Sequence, residues 1–203
     1  ALEGAQPLAL SALPAPDAIA LFDRIVTPVG LSADQHTVGI VVRLCGRLPL
    51  AVRIAAARMR SRPDWTPRQL VDLLTDQHHL LGRLDDGDRG TTAVLTLSYQ
   101  QLTADQQRAF RLLGLHPGPD IDPYAAAALT GATLAHTVGI LDHLLDVDLL
   151  TQTTHGRYVL HDLVRTFAAE RAAPPAPAGV RRETLASLFS YYLAATTTAM
   201  DSL

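Results

Sequence analysis

Few residues in this chain have types and settings suited to chemistry. His161 lies in the run Tyr158-Val159-Leu160-His161-Asp162-Leu163, where an extended stretch gives way to a helix. The first N–H groups of a helix are unpaired and carry the positive end of its dipole, so such a junction favours anions. An imidazole there can donate to a phosphate oxygen, and it serves equally as an exposed turn residue. Asp162 reads as the helix N-cap, tying the turn down so that His161 points correctly. Pro49, much earlier, follows Gly46-Arg47-Leu48. Gly46 suits a helix stop and Pro49 the first turn of the next helix. Spacing alone asks no more of Pro49 than that.

Other candidates carry less. Cys45, the one cysteine, reads as a small core residue and excludes an internal disulfide. His78 and His79 point about 100° apart on a helix, and no cysteine or carboxylate cluster completes a metal site around them. Ser98 and the scattered histidines form no hydrolase spacing. Arg58, Arg60 and Arg62 read as the polar, outward face of a helix. All 17 basic residues are arginine. A phosphate-binding P-loop needs a lysine within G-x-x-x-x-G-K-[ST], so this sequence carries no such loop and is not expected to be an enzyme by itself.

Composition narrows the class. Hydrophobic residues make up 48% of the 203, enough for a core, and the net charge of -3 argues against broad attraction to nucleic acid or anionic membrane. No apolar run approaches the roughly 20 residues that span a bilayer, and no basic-then-apolar leader opens the chain. The expectation is a soluble, cytoplasmic protein with no membrane contact. The absence of lysine, with heavy use of Ala, Arg, Leu and Asp, points to a high-GC bacterial, actinobacterial genome.

The elements that must position these residues are mainly helical. Residues 1–16 read as an irregular leading segment. Over 17–86 the apolar spacing predicts four short helices in a small antiparallel bundle. They are capped by Asp17, begun at Asp34, begun near Pro49 and Leu50, and capped by Thr66. Asp85-Asp86-Gly87-Asp88 is the best internal boundary. Over 87–173 come helices at Thr92–Leu102, Asp105–Leu115 (capped by Thr103), Tyr124–Leu129 and Leu134–Leu145. The runs Leu149–Thr153 and Arg157–Leu160 around His155-Gly156 form a β-hairpin, and a helix from Asp162 follows. That order is the order of a winged helix-turn-helix domain. Residues 174–179 are a Pro-rich linker. Residues 180–203 read as the first helix of a truncated helical domain, with Leu185, Leu188, Phe189, Tyr192 and Leu193 on one side.

Two motifs carry a family resemblance: Leu44-Cys45-Gly46-Arg47-Leu48-Pro49-Leu50-Ala51-Val52-Arg53-Ile54-Ala55-Ala56-Ala57-Arg58, and Tyr158-Val159-Leu160-His161-Asp162-Leu163-Val164-Arg165. Together they resemble the C-terminal part of the NB-ARC module of STAND ATPases, its helical bundle (ARC1) and winged helix (ARC2). The look is closest to actinobacterial AfsR/SARP-type transcriptional regulators, in which the phrase Leu113-Gly114-Leu115-His116-Pro117-Gly118 is also familiar. The resemblance covers about Leu10 to Ala172. It implies that Pro49, supported by Gly46 and Leu48, packs on the adenine of a bound nucleotide. It also implies that His161, within Leu160-His161-Asp162, contacts the β-phosphate of ADP and holds a closed, inactive state. The family has glycine where this chain has Arg47.

The implied function is an ADP/ATP-sensing segment of a transcriptional regulator. ADP or ATP would be bound in the full-length parent, and Mg only with the upstream P-loop domain that this segment lacks. Partners would be that domain, a downstream helical repeat domain of the same chain, and further copies on activation. Two alternatives compete: a winged-helix DNA-binding domain, and an interaction scaffold with no nucleotide role. DNA contact is disfavoured because Leu134–Leu145 and its continuation carry Asp142, Asp146 and Asp148 and no arginine.

Overall fold

The computed structural model describes residues 12–29, 34–62, 64–80, 86–172 and 178–200. They are mainly helical, with one short antiparallel hairpin, and pack as two compact units, Ala1–Leu97 and Ser98–Leu203. Most of the leading segment, Asp85 of the polar joint and most of the Pro-rich linker lie outside the described residues.

In the first unit, α1 (Ala15–Val26) starts two residues before the expected cap at Asp17. Pro14 takes the cap position and Pro16 falls in the first turn, where a missing N–H has no cost. Asp17 stays inside that turn, favourable to the dipole. Asp34 caps α2 (Gln35–Leu44) by accepting the Thr37 N–H at 2.8 Å. Thr66 caps α4 (Pro67–Leu80): its hydroxyl accepts from the Gln69 N–H, and the Gln69 side chain accepts the Thr66 N–H at 2.8 Å. Such caps are each worth about 1 kcal/mol.

Helix α3 (Pro49–Ser61) packs against α1, and α2 packs against both α1 and α4. Residues Ala51, Val52 and Ile54 through Met59 of α3 are all buried. The helix is thus enclosed on most of its circumference, and this overturns the outward placement of Arg58. Arg58 is only 5% exposed and lays its guanidinium over the Trp65 ring at 4.9 Å. Its Nε and one Nη have no hydrogen-bond partner among the described residues, and burial beside Arg62 pulls its pKa down to about 10.

Helix α5 (Asp86–Gln100) begins well before Thr92, so the Asp-rich stretch starts a helix, and the compact units divide later, within α5. Glycine weakens a helix by about 1 kcal/mol without ending it. Gly90 has a packing reason: a Cβ there would lie 2.7 Å from the Cys45 carbonyl carbon.

In the second unit, α6 (Ala104–Leu113) opens with a capping box between Thr103 and Gln106. It packs against α7 (Pro123–Thr130), α8 (Leu134–Asp146) and α9 (Asp162–Ala172). Phe110 and Phe167 meet Tyr99 at ring-centroid distances of 6.0 and 6.2 Å. Gly114 lets the end of α6 touch α9, since a Cβ would stand 2.7 Å from Ala168 Cβ. Strands β1 (Thr151–Thr154) and β2 (Arg157–Val159) pair antiparallel, Thr151 opposite Val159 and Gln152 opposite Tyr158, with an irregularity before Thr154. Tyr158 also exchanges two backbone hydrogen bonds of 2.9 Å with Ile121, in the loop before α7.

The last helix, α10 (Ala178–Met200), packs on α7 within this unit. Its expected single apolar side splits. Leu188 is fully buried, whereas Phe189 and Leu193 are 51% and 68% exposed. No single described helix is long and apolar enough to cross a membrane.

Cys45 is fully buried, and desolvation pushes its thiol pKa up to about 12. It should resist alkylation in the folded chain and react in denaturant. Iodoacetamide labelling read by mass spectrometry checks this; rapid native labelling would contradict the packing.

Candidate functional site

The turn between α2 and α3 is built by backbone. Cys45 ends α2, Gly46 and Arg47 both adopt left-handed conformations at φ 62° and 56°, and Leu48 leads into Pro49 at the first helical position. The Arg47 N–H donates to the Val42 carbonyl at 3.0 Å and the Gly46 N–H to Arg43 at 2.9 Å, the pairing of a Schellman stop. The Arg47 carbonyl accepts the Leu13 N–H at 2.9 Å. Arg47 therefore holds, as an L-residue, a left-handed position that favours glycine. Leu48 is half-buried, and the Pro49 ring is exposed at the helix start.

The second junction has a different construction. Leu160 is buried at the end of the hairpin and anchors the turn. His161, not Asp162, is the cap of α9: its carbonyl accepts the Arg165 N–H at 2.8 Å, and its Nδ1 accepts the Leu163 N–H at 3.3 Å. The chain enters the helix one residue earlier than the sequence suggested, which leaves Asp162 in the first turn as a dipole partner. With Nδ1 accepting, the neutral ring carries its proton on Nε2, a donor available to an anion. His161 and Asp162 are both exposed. Gly46, Leu48 and Pro49 thus share one turn of the first unit, and Leu160, His161 and Asp162 share one turn of the second.

A polar group behind His161 escaped the sequence reading. The Arg165 guanidinium donates to the carbonyls of His116 at 2.7 Å, Gly118 at 2.8 Å and Pro119 at 3.2 Å. The His116 ring is 5% exposed. Its Nδ1 accepts the Gly118 N–H at 3.2 Å, and its Nε2 lies 3.0 Å from the Tyr192 hydroxyl. The position of Arg165, one helical turn after His161, was a signal available in the sequence. Tyr192, 76 residues from His116, gave none. Among the described residues, no group of three or more His, Cys, Asp or Glu is placed to hold a metal ion.

Two outcomes follow from this geometry. An L-residue in the left-handed region costs roughly 1–2 kcal/mol, partly offset in a glycine variant by chain entropy. Arg47→Gly should therefore stabilise the chain by about 0.5–1 kcal/mol, seen as a higher Tm; an unchanged or lower Tm would contradict the strain. Burial, with Arg165 adding repulsion, depresses the His116 pKa below its ordinary value, against smaller opposing effects from Gly118, Asp120 and Asp122. The unfolded chain then takes up the proton first. Stability is full above the ordinary histidine pKa and falls as pH drops from there through the depressed folded value. Urea titrations between pH 7.5 and 5 should show this slope in the parent chain and a flatter one in His116→Gln.

No protein-family model matches the chain. It is similar to the Regulatory protein AfsR of Streptomyces coelicolor, with 41% identity over 197 residues, 95% of this chain and 20% of that protein. It is likewise similar to the Regulatory protein AfsR of Streptomyces griseus, with 41% identity over 194 residues and the same shares. The chain thus spans about one fifth of the length of the curated relatives it matches, and across nearly all of its own length it is homologous to a segment of these regulators.

Proposed function

We propose that this chain is the nucleotide-sensing segment of a transcriptional regulator, in which a four-helix bundle and a winged helix-turn-helix unit work with a P-loop domain elsewhere in the parent protein. Homology to AfsR supports the regulatory role. The order α6, Ile121 bridge, α7, α8, hairpin, α9 is the order of elements in a winged helix, with β1 and β2 as its wing. The observation that carries the nucleotide reading is His161, an exposed imidazole capping α9 with its Nε2 proton directed away from the backbone it caps. A helix N-terminus with a side-chain donor fits a phosphate. The exposed Pro49 ring, at a helix start that needs no N–H there, fits the face of a base.

In this reading His161 holds ADP in the closed state, and exchange for ATP loosens the winged unit and permits self-association. Helical repeats elsewhere in the parent would sense the signal. A DNA-reading role for α8 is disfavoured by its chemistry, since it has no arginine and exposes Asp142.

Losing one hydrogen bond to a charged phosphate costs about 1.5–3 kcal/mol, roughly a tenfold to hundredfold loss of affinity. His161→Ala in the full-length regulator should release ADP by that factor and raise basal transcription. Co-purified nucleotide measured by chromatography, alongside a reporter assay, tests it. A variant that keeps its ADP and stays silent removes His161 from the site. Salt-sensitive duplex binding by this segment would instead support the DNA reading.

A further inference from the structure

The hydrogen bonds behind His161 lead away from it in one direction. Arg165 sits one turn along α9, its N–H fixed to the His161 carbonyl. Its guanidinium holds three carbonyls of one loop, those of His116, Gly118 and Pro119. Five N–H donors in a rigid plane suit several carbonyls at once, and they make the loop follow any tilt or shift of the helix start.

The loop in turn fixes a ring. Gly118 closes over His116 so tightly that a Cβ there would lie 2.7 Å from His116 Cε1. The ring's Nε2 hydrogen-bonds the Tyr192 hydroxyl 3.0 Å away, on α10, while its Nδ1 faces both the N–H and the carbonyl of Gly118, at 3.2 and 3.3 Å, so the tautomer sets which atom donates in each bond. His116 is buried and Tyr192 half-buried, so breaking the bond leaves a buried ring nitrogen without this partner.

Helix α10 is an element that can respond. It packs on α7 and buries Leu188, and Tyr191 reaches Asp122, the cap of α7. Its other side exposes Phe189 and Leu193. A helix covered on one side only undocks more readily than a core helix.

We infer that Arg165 is a positioning residue that couples the start of α9 to the docking of α10, through the 116–119 loop and the His116–Tyr192 bond. A shift at His161 moves Arg165, loosens the loop, turns His116 and releases Tyr192. By linkage, undocking α10 acts back on His161 to the same extent. The coupling exists in this chain with or without nucleotide; its use as the output of nucleotide exchange rests on the function proposed above.

Hydrogen–deuterium exchange on the 203-residue chain tests it, using Arg165→Met, Tyr192→Phe and the double variant. Among the described residues the Arg165 guanidinium hydrogen-bonds the 116–119 loop and not α10, yet Arg165→Met should speed exchange across residues 185–196 at least fivefold, as Tyr192→Phe does directly. The double variant should show little more than either single change, because both break one path. Arg165→Lys, which keeps the charge but not the fork, should restore only part of the protection. Exchange in α6 and α8, of the same unit, serves as the folding control. Should Arg165→Met unfold the second unit, Gly118→Ala, which displaces the His116 ring, replaces it.

Unchanged α10 exchange in Arg165→Met, or effects that multiply fully in the double variant, would overturn the coupling. In the full-length regulator, Tyr192→Phe should accelerate ADP release several-fold. If His161→Ala leaves ADP bound while the exchange coupling persists, the nucleotide reading alone fails. If His161→Ala releases ADP while α10 ignores Arg165, the coupling alone fails.

Discussion

Two backbone hydrogen bonds between Tyr158 and Ile121 organise the second unit. They pin the hairpin to the loop that precedes α7, and so decide where the extended chain must stop. With Tyr158 held, Leu160 falls into the core and the next residue emerges at the surface as the cap of α9. No side chain in the junction could set this geometry by itself. Backbone pairing is directional and position-specific in a way that hydrophobic burial is not. The exposure of His161 is therefore a consequence of strand register.

Arginine does structural work in this protein beyond supplying charge. Arg165 staples three carbonyls of one loop, and Arg108 donates to the Thr130 carbonyl at 2.7 Å at the end of α7. Arg157 joins β2 to Asp120 and Asp122. Each uses the planar fork to bind groups that a lysine ammonium would meet as a point charge. Arg58 is the exception, a buried guanidinium resting on Trp65 with two nitrogens unpartnered among the described residues. The aromatic face offsets only part of its desolvation, which is why its pKa falls.

The two junctions achieve exposure by opposite means. At Pro49 a left-handed pair ends one helix so abruptly that the next begins with its proline outward, and Gly90 of α5 packs directly on that turn. At His161 the helix starts early and uses the imidazole itself as a cap. The first depends on strain at Arg47 held by the Val42 and Leu13 bonds; the second depends on the sheet.

Much was legible from local rules. Helices at Gln35–Leu44, Pro49–Ser61, Pro67–Leu80, Ala104–Leu113 and Leu134–Asp146 follow from capping residues and apolar spacing, and the hairpin from a Gly-containing turn between two extended runs. Cys45 was recognisable as core because a small apolar residue sat on the buried stripe of α2. What failed did so where neighbours distant in sequence outvote local preference. Arg58 went inward because α3 is enclosed on most sides, and α10 divided its apolar residues because α7 covers only one face. The cap at α9 moved from Asp162 to His161 because strand pairing, a long-range interaction, chose the last extended residue. Propensity and periodicity are read from neighbours in the chain, while burial and register are decided by whichever surfaces the fold brings together.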